Sequence, residues 1–476
     1  MEYCIIDTLL GYQQFSITNV VISLFVFVLY YLLVWRPSTK SSLKMKNQAP
    51  EPAGSLPFIG HLHLMNRSSP QHVALGAMAD KYGPVFTVLI GVHRALVVSS
   101  WEAAKECFTT NDKVFVSRPR QAAGKYIGYD NAMLSFASDG KYWNEIRKIM
   151  KTELLSNNRL ALVRNVWESE IATSIKVLYD ANWGVDRIEG AQRAPVLVEM
   201  KQWIGDLTLN MSSKMIAGRR CFGDATDQEA EKCQKGLRDF VKVLGLITLG
   251  DMIPFLAWLD LDGREREIKS AGKNLDHILS GWLEEHKAKR SLSCSTDEKD
   301  WMDLMLSVLD KNPKLNRSFD ADTINKATCL GLLQGGSVWT MFTVLWAVAL
   351  LVNHPHVLKK AHDELDIHVG KERQVDESDI KNLNYIQAIF KEAMRLYPVS
   401  MRLLESKEDC NVAGYHVPAG TRLIVNTWKI LQRETDAIQY CSLAKVRSSG
   451  SYFEEARGTH SVVRKMRFGK WRVSKK

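Results

Sequence analysis

The sequence predicts a mainly α-helical protein with a small β subdomain, preceded by one N-terminal membrane-spanning helix. Helical hydrophobic periodicity recurs through the middle of the chain, and its longest stretch covers residues 321–353. Two β-rich runs around Gly91 predict a hairpin, and short runs at residues 411–413 and 421–426 predict further strands. No internal repeat is visible, so these observations indicate one large helical domain.

Composition narrows the class of protein. The 476 residues are 46% hydrophobic and 24% charged, which excludes disordered, collagen-like and coiled-coil chains. Eight cysteines are scattered along the chain without a CxxC pair. A disulfide scaffold, a zinc ribbon and a thioredoxin-like site are therefore excluded. We expect most of the cysteines to be buried free thiols in a reducing compartment.

The N-terminus predicts a membrane anchor. No charged residue lies between Asp7 and Arg36, and residues 15–35 are long enough to cross the hydrocarbon core, which needs about 20 apolar residues. Basic residues follow directly, so the positive-inside tendency places the rest of the chain in the cytosol. Acidic leading residues and the lack of a small-residue cleavage site argue against a cleaved signal peptide. Residues 1–36 are therefore predicted to be an uncleaved anchor.

A basic, proline-rich hinge is predicted at residues 37–60. Its second half, QAPEPAGSLPFIG, holds three prolines and two glycines. Proline fixes its own φ and biases the preceding residue towards extended conformations, so this segment predicts a short, semi-rigid spacer. The domain that follows is predicted to cover residues 61–430.

Hydrophobic periodicity and β-propensity assign elements within that domain. The hairpin strands are predicted at 85–89 and 95–99, and the helices at 101–110, 139–155, 160–179, 200–215, 228–246, 264–292, 321–353, 355–368 and 384–397.

Common catalytic and metal-binding signatures are absent. The chain has no GxGxxG after a strand, no Walker loop, no HExxH and no GxSxG. The H-x-H pairs at His61/His63 and His354/His356 lack an evident third ligand. No metal site made by these side chains is expected.

Four segments carry a more specific signal when taken in order. They are KYWNEIRK with Trp143 and Arg147 four residues apart, GGSVWT within the longest helix, KEAMRLYP with Glu392 and Arg395 three residues apart, and VPAGTRLIVN. Each alone is open to a plain interpretation: a surface Trp/Arg stack, a helix-packing notch or an exposed ion pair of little energetic value. Together with the anchor and hinge, the ordered set resembles the membrane-bound cytochrome P-450 monooxygenases, in particular the plant microsomal kind. The resemblance covers residues 1–430.

The resemblance implies a cytochrome P-450 fold with a haem cofactor. It implies a monooxygenase that inserts one oxygen atom into a small apolar substrate of the plant secondary-metabolite kind. Its partners would be the endoplasmic reticulum membrane and NADPH-cytochrome P-450 reductase, which supplies electrons. No nucleic-acid partner is expected, because the basic excess is confined to the C-terminal tail and no recognition module precedes it.

Site residues follow from the same resemblance. Trp143 and Arg147 match the residues that hydrogen-bond a haem propionate, a role that suits the forked, permanently charged guanidinium. Gly335 and Gly336 match a widened turn of the long helix beside the oxygen pocket, where the lack of a Cβ allows close approach.

The resemblance also implies an ion pair on the haem side of the core. Glu392 and Arg395 match a buried ion pair that locks this region. In the family an arginine from a following PxRF segment completes the lock, and that segment is missing here.

The chain departs from the family pattern in the proton relay. An acid and a threonine, which supply protons during oxygen activation, normally follow the two glycines. Val338 and Trp339 occupy those places, and neither side chain can relay a proton. Ser337 and Thr340 are the neighbouring hydroxyls, and Thr340 is the candidate catalytic replacement.

The second departure concerns the axial ligand. The family's cysteine thiolate binds the haem iron, but no FxxGxRxCxG segment follows Ile430, and the only later cysteine is Cys441, without the expected neighbours. The tail of residues 431–476 holds 11 Lys/Arg against 4 Asp/Glu, a net +7 out of the chain's +10. Two interpretations stay open: a haem-dependent monooxygenase, or a truncated or frame-shifted P-450-like protein without a thiolate-ligated haem.

Overall fold

The computed structural model describes residues 18–28, 30, 47–65, 70–180, 198–223, 228–292, 300–313, 315, 318–399 and 403–432. The chain divides into two compact units, residues 1–48 and 49–476. The first unit contributes helix α1 (Thr18–Val28), whose apolar side chains are exposed. Apart from Tyr30, the rest of the predicted 15–35 span lies outside the described residues, as do the tail from residue 433 onward and Cys441 within it.

The second unit is mainly helical, as the sequence predicts. Its α-helices are α2 (Leu62–Met65), α3 (Gln71–Tyr82), α4 (Trp101–Phe108), α5 (Ala122–Tyr126), α6 (Lys141–Ile149), α7 (Asn157–Tyr179), α8 (Met200–Ala217), α9 (Gln228–Val243), α10 (Leu249–Met252), α11 (Arg264–Leu292), α12 (Trp301–Lys311), α13 (Ala321–Leu333), α14 (Trp339–Asn353), α15 (Pro355–His368), α16 (Asn384–Leu396) and α17 (Thr427–Leu431). Met150–Leu154 and Gln334–Val338 form π-helical turns, and Pro254–Leu259 and Glu377–Asn382 form 3₁₀ helices.

Two small sheets complete this unit. The larger has the order β1-β2-β6-β3 and the smaller pairs β4 with β5. The strands are β1 (Val85–Ile90), β2 (His93–Val98), β3 (Leu403–Glu405), β4 (Cys410–Val412), β5 (Tyr415–Val417) and β6 (Arg422–Val425). The predicted hairpin is confirmed: β1 and β2 are antiparallel, whereas β6 runs parallel to β2. Gly91 turns the hairpin with φ +62°, and a Cβ there would overlap the Met252 carbonyl.

The main hydrophobic core lies among the central helices. Fully buried side chains of α9, α11, α12 and α13 meet there, including Phe240, Leu279, Met302 and Leu330. Two smaller clusters cover the faces of the four-stranded sheet. The stretch Ala321–Asn353 is long and apolar enough to cross a membrane by length and composition, and its most apolar 18-residue window has a mean hydropathy of 1.8. However, α13 and α14 contact α8, α12 and α16, so this stretch is a central helix of the domain.

A buried carboxylate ties α7 to the end of α8. The Glu170 side chain is 3% exposed, and its Oε1 accepts a hydrogen bond of 2.9 Å from Lys214 Nζ. Its Oε2 lies 3.0 Å from Arg220 Nε; this contact is an ion pair whose angles fall outside hydrogen-bond geometry. Two cations thus compensate one desolvated carboxylate, which is the condition for a tolerable buried charge.

A second buried pair joins the end of α11 to the start of α12. His286 Nδ1 lies 2.6 Å from the Trp282 carbonyl, and its Nε2 lies 2.8 Å from Asp300 Oδ2. Together with Asp303 these side chains offer three potential metal-ligand atoms within 4.8 Å of one another. Both ring nitrogens of His286 already bind protein acceptors, however. This arrangement is typical of a protonated imidazolium that donates from both nitrogens, and it leaves neither nitrogen for a metal ion.

This pair predicts a pH dependence of stability. Burial alone lowers the pKa of His286, but the hydrogen bond and charge of Asp300 outweigh it, so the pKa is raised. A raised native pKa stabilises the fold fully below the unfolded value of about 6.5, and that contribution is lost as pH rises through the native pKa. We expect the thermal midpoint to fall from about pH 6.5 upward, and His286→Gln to remove that component. His416→Gln, which removes the more exposed His416–Asp409 pair, is the control. Parallel pH profiles for wild type and His286→Gln would refute the assignment.

Candidate haem site

The long helix is interrupted where the sequence placed a widened turn. Residues Gln334–Val338 form a π-helical turn between α13 and α14. Gly335 and Gly336 lie in this turn and are exposed. A Cβ built on Gly335 would meet no atom within 4 Å. A π turn of this kind often marks a functional site within a helix. The space beside Gly335 is open, whereas a Cβ on Gly336 would lie 3.0 Å from Ser212 Oγ on α8.

The four residues that follow the glycines differ in exposure. Trp339 is 39% exposed and shares the exposed side of the helix with Thr340 and the two glycines. Val338 is buried, and Ser337 is buried with its hydroxyl donating 2.6 Å to the Leu333 carbonyl. The proton of Ser337 is therefore committed within the helix. Thr340 is the exposed hydroxyl next to the turn.

The predicted Trp143–Arg147 pair is present on α6, and the structure adds a third member. The guanidinium of Arg147 lies 5.0 Å from the centre of the Trp143 ring, and that of Arg118 lies 5.2 Å from it. The indole Nε1 is buried and has no hydrogen-bond partner among the described residues. An indole N–H is only a donor, so this atom requires an acceptor that the described protein does not supply.

We name Trp143, Arg118 and Arg147 the cationic cradle. A carboxylate could accept the unpaired indole N–H and lie between two guanidinium groups, each of which suits bidentate binding of such a group. The haem propionate implied by the sequence resemblance has this chemistry, so the cradle fits that end of a haem. Arg118 was missed by sequence reasoning because it lies in an irregular segment 25 residues before Trp143, with no periodic relation to it.

The Glu392–Arg395 pair forms, but it is only partly buried. Arg395 Nε and Nη2 donate to the two Glu392 oxygens at 2.8 and 2.6 Å, and its Nη1 donates 2.8 Å to the Leu431 carbonyl. The side chains of Arg395 and Glu392 are 23% and 20% exposed. The pair thus joins α16 to α17, at the end of the described chain.

None of the five cysteines within the described residues lies in the π turn or in the cationic cradle. Cys107 lies in the core under the sheet, Cys221 and Cys233 face each other, Cys329 is fully buried on α13, and Cys410 lies on β4. Burial raises the pKa of the Cys329 thiol and raises that of Cys410 to about 11, so both stay protonated at neutral pH. The described residues therefore provide the cationic cradle and an open turn, but no thiolate for a haem iron.

An aromatic groove lies where α14, α16 and α17 meet. Its volume is about 440 Å³. Trp346 and Tyr397 stack in parallel in its wall with ring centres 3.7 Å apart, and Trp428 contacts His72 edge-on at 5.2 Å. Flat apolar groups bind well against such walls.

Comparison with known proteins identifies a family match and several similar plant proteins. The cytochrome P450 family model matches residues 50–435. The chain is 49% identical over 409 residues to a demethylepipodophyllotoxin synthase from Sinopodophyllum hexandrum, covering 84% of this chain and 76% of that protein. It is 48% identical over 415 residues to a strychnine-10-hydroxylase from Strychnos nux-vomica, covering 86% and 78%. It is 46% identical over 415 residues to a flavonoid-6-hydroxylase from Ocimum basilicum, covering 86% and 77%.

A solved structure agrees at the level of the fold. A zebra fish cytochrome P450 with progesterone superposes with a TM-score of 0.62 at 22% identity, over 77% of this chain and 80% of that one. The predicted fold class is confirmed, and membership implies haem as cofactor, an electron-supplying reductase and an organic substrate. By sequence and by fold, the chain belongs to the cytochrome P450 family.

Proposed function

We propose that this protein is a haem-dependent monooxygenase that oxidises a small, apolar plant secondary metabolite. The cationic cradle carries the proposal, because its buried indole N–H lacks an acceptor and a propionate would supply one. The names of the three plant relatives describe a strychnine hydroxylase, a flavonoid hydroxylase and a demethylepipodophyllotoxin synthase. Relatives at 46–49% identity support the same substrate class here.

Each site residue would have a distinct role in this function. Bound haem would supply dioxygen activation and oxygen-atom transfer. Trp143, Arg118 and Arg147 would hold its propionates and so fix its orientation. Gly335 leaves room beside the π turn for the reacting groups, and Gly336 lets Ser212 of α8 approach the turn closely. Thr340 would hold a proton at its Oγ1, because Val338 and Trp339 cannot carry one. Glu392 and Arg395 would keep α16 and α17 together on that side of the core.

A second candidate function is a non-catalytic haem- or ligand-binding protein of the same fold. The observation in its favour is that no described cysteine can act as the axial thiolate and that the family match ends at residue 435. Cys441 is the only cysteine after that point. A catalytic haem would therefore depend on Cys441 to push electron density towards oxygen.

One experiment separates the two functions. The full-length protein is expressed in membranes with haem supplied, then reduced and exposed to carbon monoxide. The monooxygenase function predicts a red-shifted Soret band of thiolate ligation that Cys441→Ala abolishes, with Cys410→Ala as the control. Bound haem with no red-shifted band in the wild type would contradict that function and support the second.

We further propose a single-pass anchor in the endoplasmic reticulum membrane, with the body in the cytosol facing NADPH-cytochrome P-450 reductase. The uncharged run at residues 15–35 and the basic residues after it support this orientation. Release of the full-length protein from membranes by alkaline carbonate would refute the anchor.

A further inference from the structure

Two cysteines outside the haem site lie unusually close together. The Sγ atoms of Cys221 and Cys233 are 2.6 Å apart, only about half an ångström more than the bonded S–S distance of ~2.05 Å. Both residues are buried, with 4% and 8% of their surface exposed. The sequence predicts only that most cysteines are buried free thiols. The structure brings these two side chains together.

The protein backbone holds both sulfurs in place. Asn210 on α8 accepts hydrogen bonds from the backbone N–H groups of Cys221 at 3.0 Å and Phe222 at 2.8 Å, and donates 2.8 Å to the Phe222 carbonyl. Cys233 lies on α9, which packs along α11. The segment after α8 and the first turns of α9 therefore present the two thiols to each other without rearrangement.

The surroundings shift the pKa values of the two thiols in opposite directions. The hydrogen bond from Cys233 lowers the pKa of Cys221, and Ser213 and the Arg219 charge lower it further against the effect of burial. The same hydrogen bond and burial raise the pKa of Cys233. A thiolate is the reactive nucleophile. Cys221 is thus the attacking sulfur and Cys233 the resolving thiol.

We propose that Cys221 and Cys233 are a redox-reversible modification site that a hydroperoxide converts to a disulfide. The Cys221 thiolate attacks the peroxide oxygen, breaking the O–O bond to give a sulfenic acid and one water. The Cys233 thiol then attacks the sulfenic sulfur, forming the S–S bond and releasing the second water. Overall, two thiols and one H₂O₂ give one disulfide and two waters. The bond closes a short loop between α8 and α9 and so stabilises that junction.

The test uses the full-length protein in detergent, treated with hydrogen peroxide or, separately, with oxidised glutathione. Free thiols are then alkylated, and the protein is digested without reduction and analysed by mass spectrometry. We expect a cross-linked peptide joining Cys221 to Cys233 that dithiothreitol reverses. Cys329 is the internal control, since its Sγ contacts Asn325 Oδ1 at 3.3 Å instead of a second sulfur. Its thiol should be alkylated in full once the treated protein is unfolded.

Two variants distinguish the proposed chemistry from general oxidation. In Cys233→Ser the Cys221 sulfenic acid should persist and be trapped by a 1,3-diketone, whereas wild type should give no adduct. Oxidation should raise the thermal midpoint of wild type but not that of Cys233→Ser. The proposal is overturned if neither oxidant cross-links the pair, or if Cys329 is oxidised at the same rate as Cys221.

Discussion

Replacing Glu170 by alanine is expected to lower the free energy of unfolding by about 3–5 kcal/mol. The carboxylate is 3% exposed and is held by Lys214 and Arg220, whose side chains are 35% and 17% exposed. Removal leaves two partly buried cations without a counter-charge, and a stranded charge costs far more than a lost surface pair. Urea unfolding of the full-length protein in detergent measures the change.

Glu168→Ala is the matched control for this prediction. Glu168 lies on the same helix, two residues away, and pairs with Arg164 at 2.7 Å while 42% of its side chain is exposed. That substitution should cost less than about 1 kcal/mol. Equal losses for Glu168→Ala and Glu170→Ala would show that the burial of Glu170 does not matter energetically.

Arg395→Ala should produce the second large loss, about 2–4 kcal/mol. The substitution strands the Glu392 carboxylate and leaves the Leu431 carbonyl without its 2.8 Å donor. We place the loss slightly below that of Glu170→Ala because a fifth of each side chain is exposed. The readout is again the free energy of unfolding by urea.

Glu284→Ala provides the comparison at the same helical spacing. Glu284 pairs with Lys287 three residues later at 3.1 Å, but 68% of its side chain is exposed. Glu284→Ala should therefore lower the free energy of unfolding by only about a few tenths of a kcal/mol. The double variant Glu392→Ala/Arg395→Ala should regain part of the Arg395→Ala loss, because no buried charge is then left alone. A thermal midpoint unchanged by Arg395→Ala would mean that the pair acts as a surface ion pair.

Much of the helical body was predictable because its apolar periodicity is long and uninterrupted. The bounds predicted for α11 and α15 agree with the structure, and those for α7, α8 and α16 differ by at most three residues. The helices α3 and α12 were not predicted. The stretch at α3 contains one glycine and three alanines and has little amphipathic pattern. Helix α12 is short and follows a polar link. The short strands β3 and β5 have only three residues each, too few to give a period.

The site was predictable in part. The order of motifs singled out Trp143, Arg147, Gly335 and Gly336, and their roles at a haem stay predictions. The widened turn implied at the two glycines is present as a π turn. Arg118 was not predictable, because tertiary packing alone brings it over the indole. The resemblance implies a buried Glu392–Arg395 pair, whereas the two side chains are 20% and 23% exposed in the structure.

The most direct test of the account is haem retention by a Trp143→Phe variant. This change keeps an aromatic ring beside Arg118 and Arg147 but removes the indole N–H of residue 143, which lacks an acceptor. A hydrogen bond to a charged group contributes about 1.5–3 kcal/mol, so we expect haem affinity to fall by roughly 10- to 100-fold. The readout is the haem content of the purified full-length protein, titrated spectroscopically, beside Trp203→Phe, which removes another buried unpaired indole N–H on α8. The account predicts that only Trp143→Phe weakens haem binding. Equal haem affinity in the wild type and Trp143→Phe would contradict it.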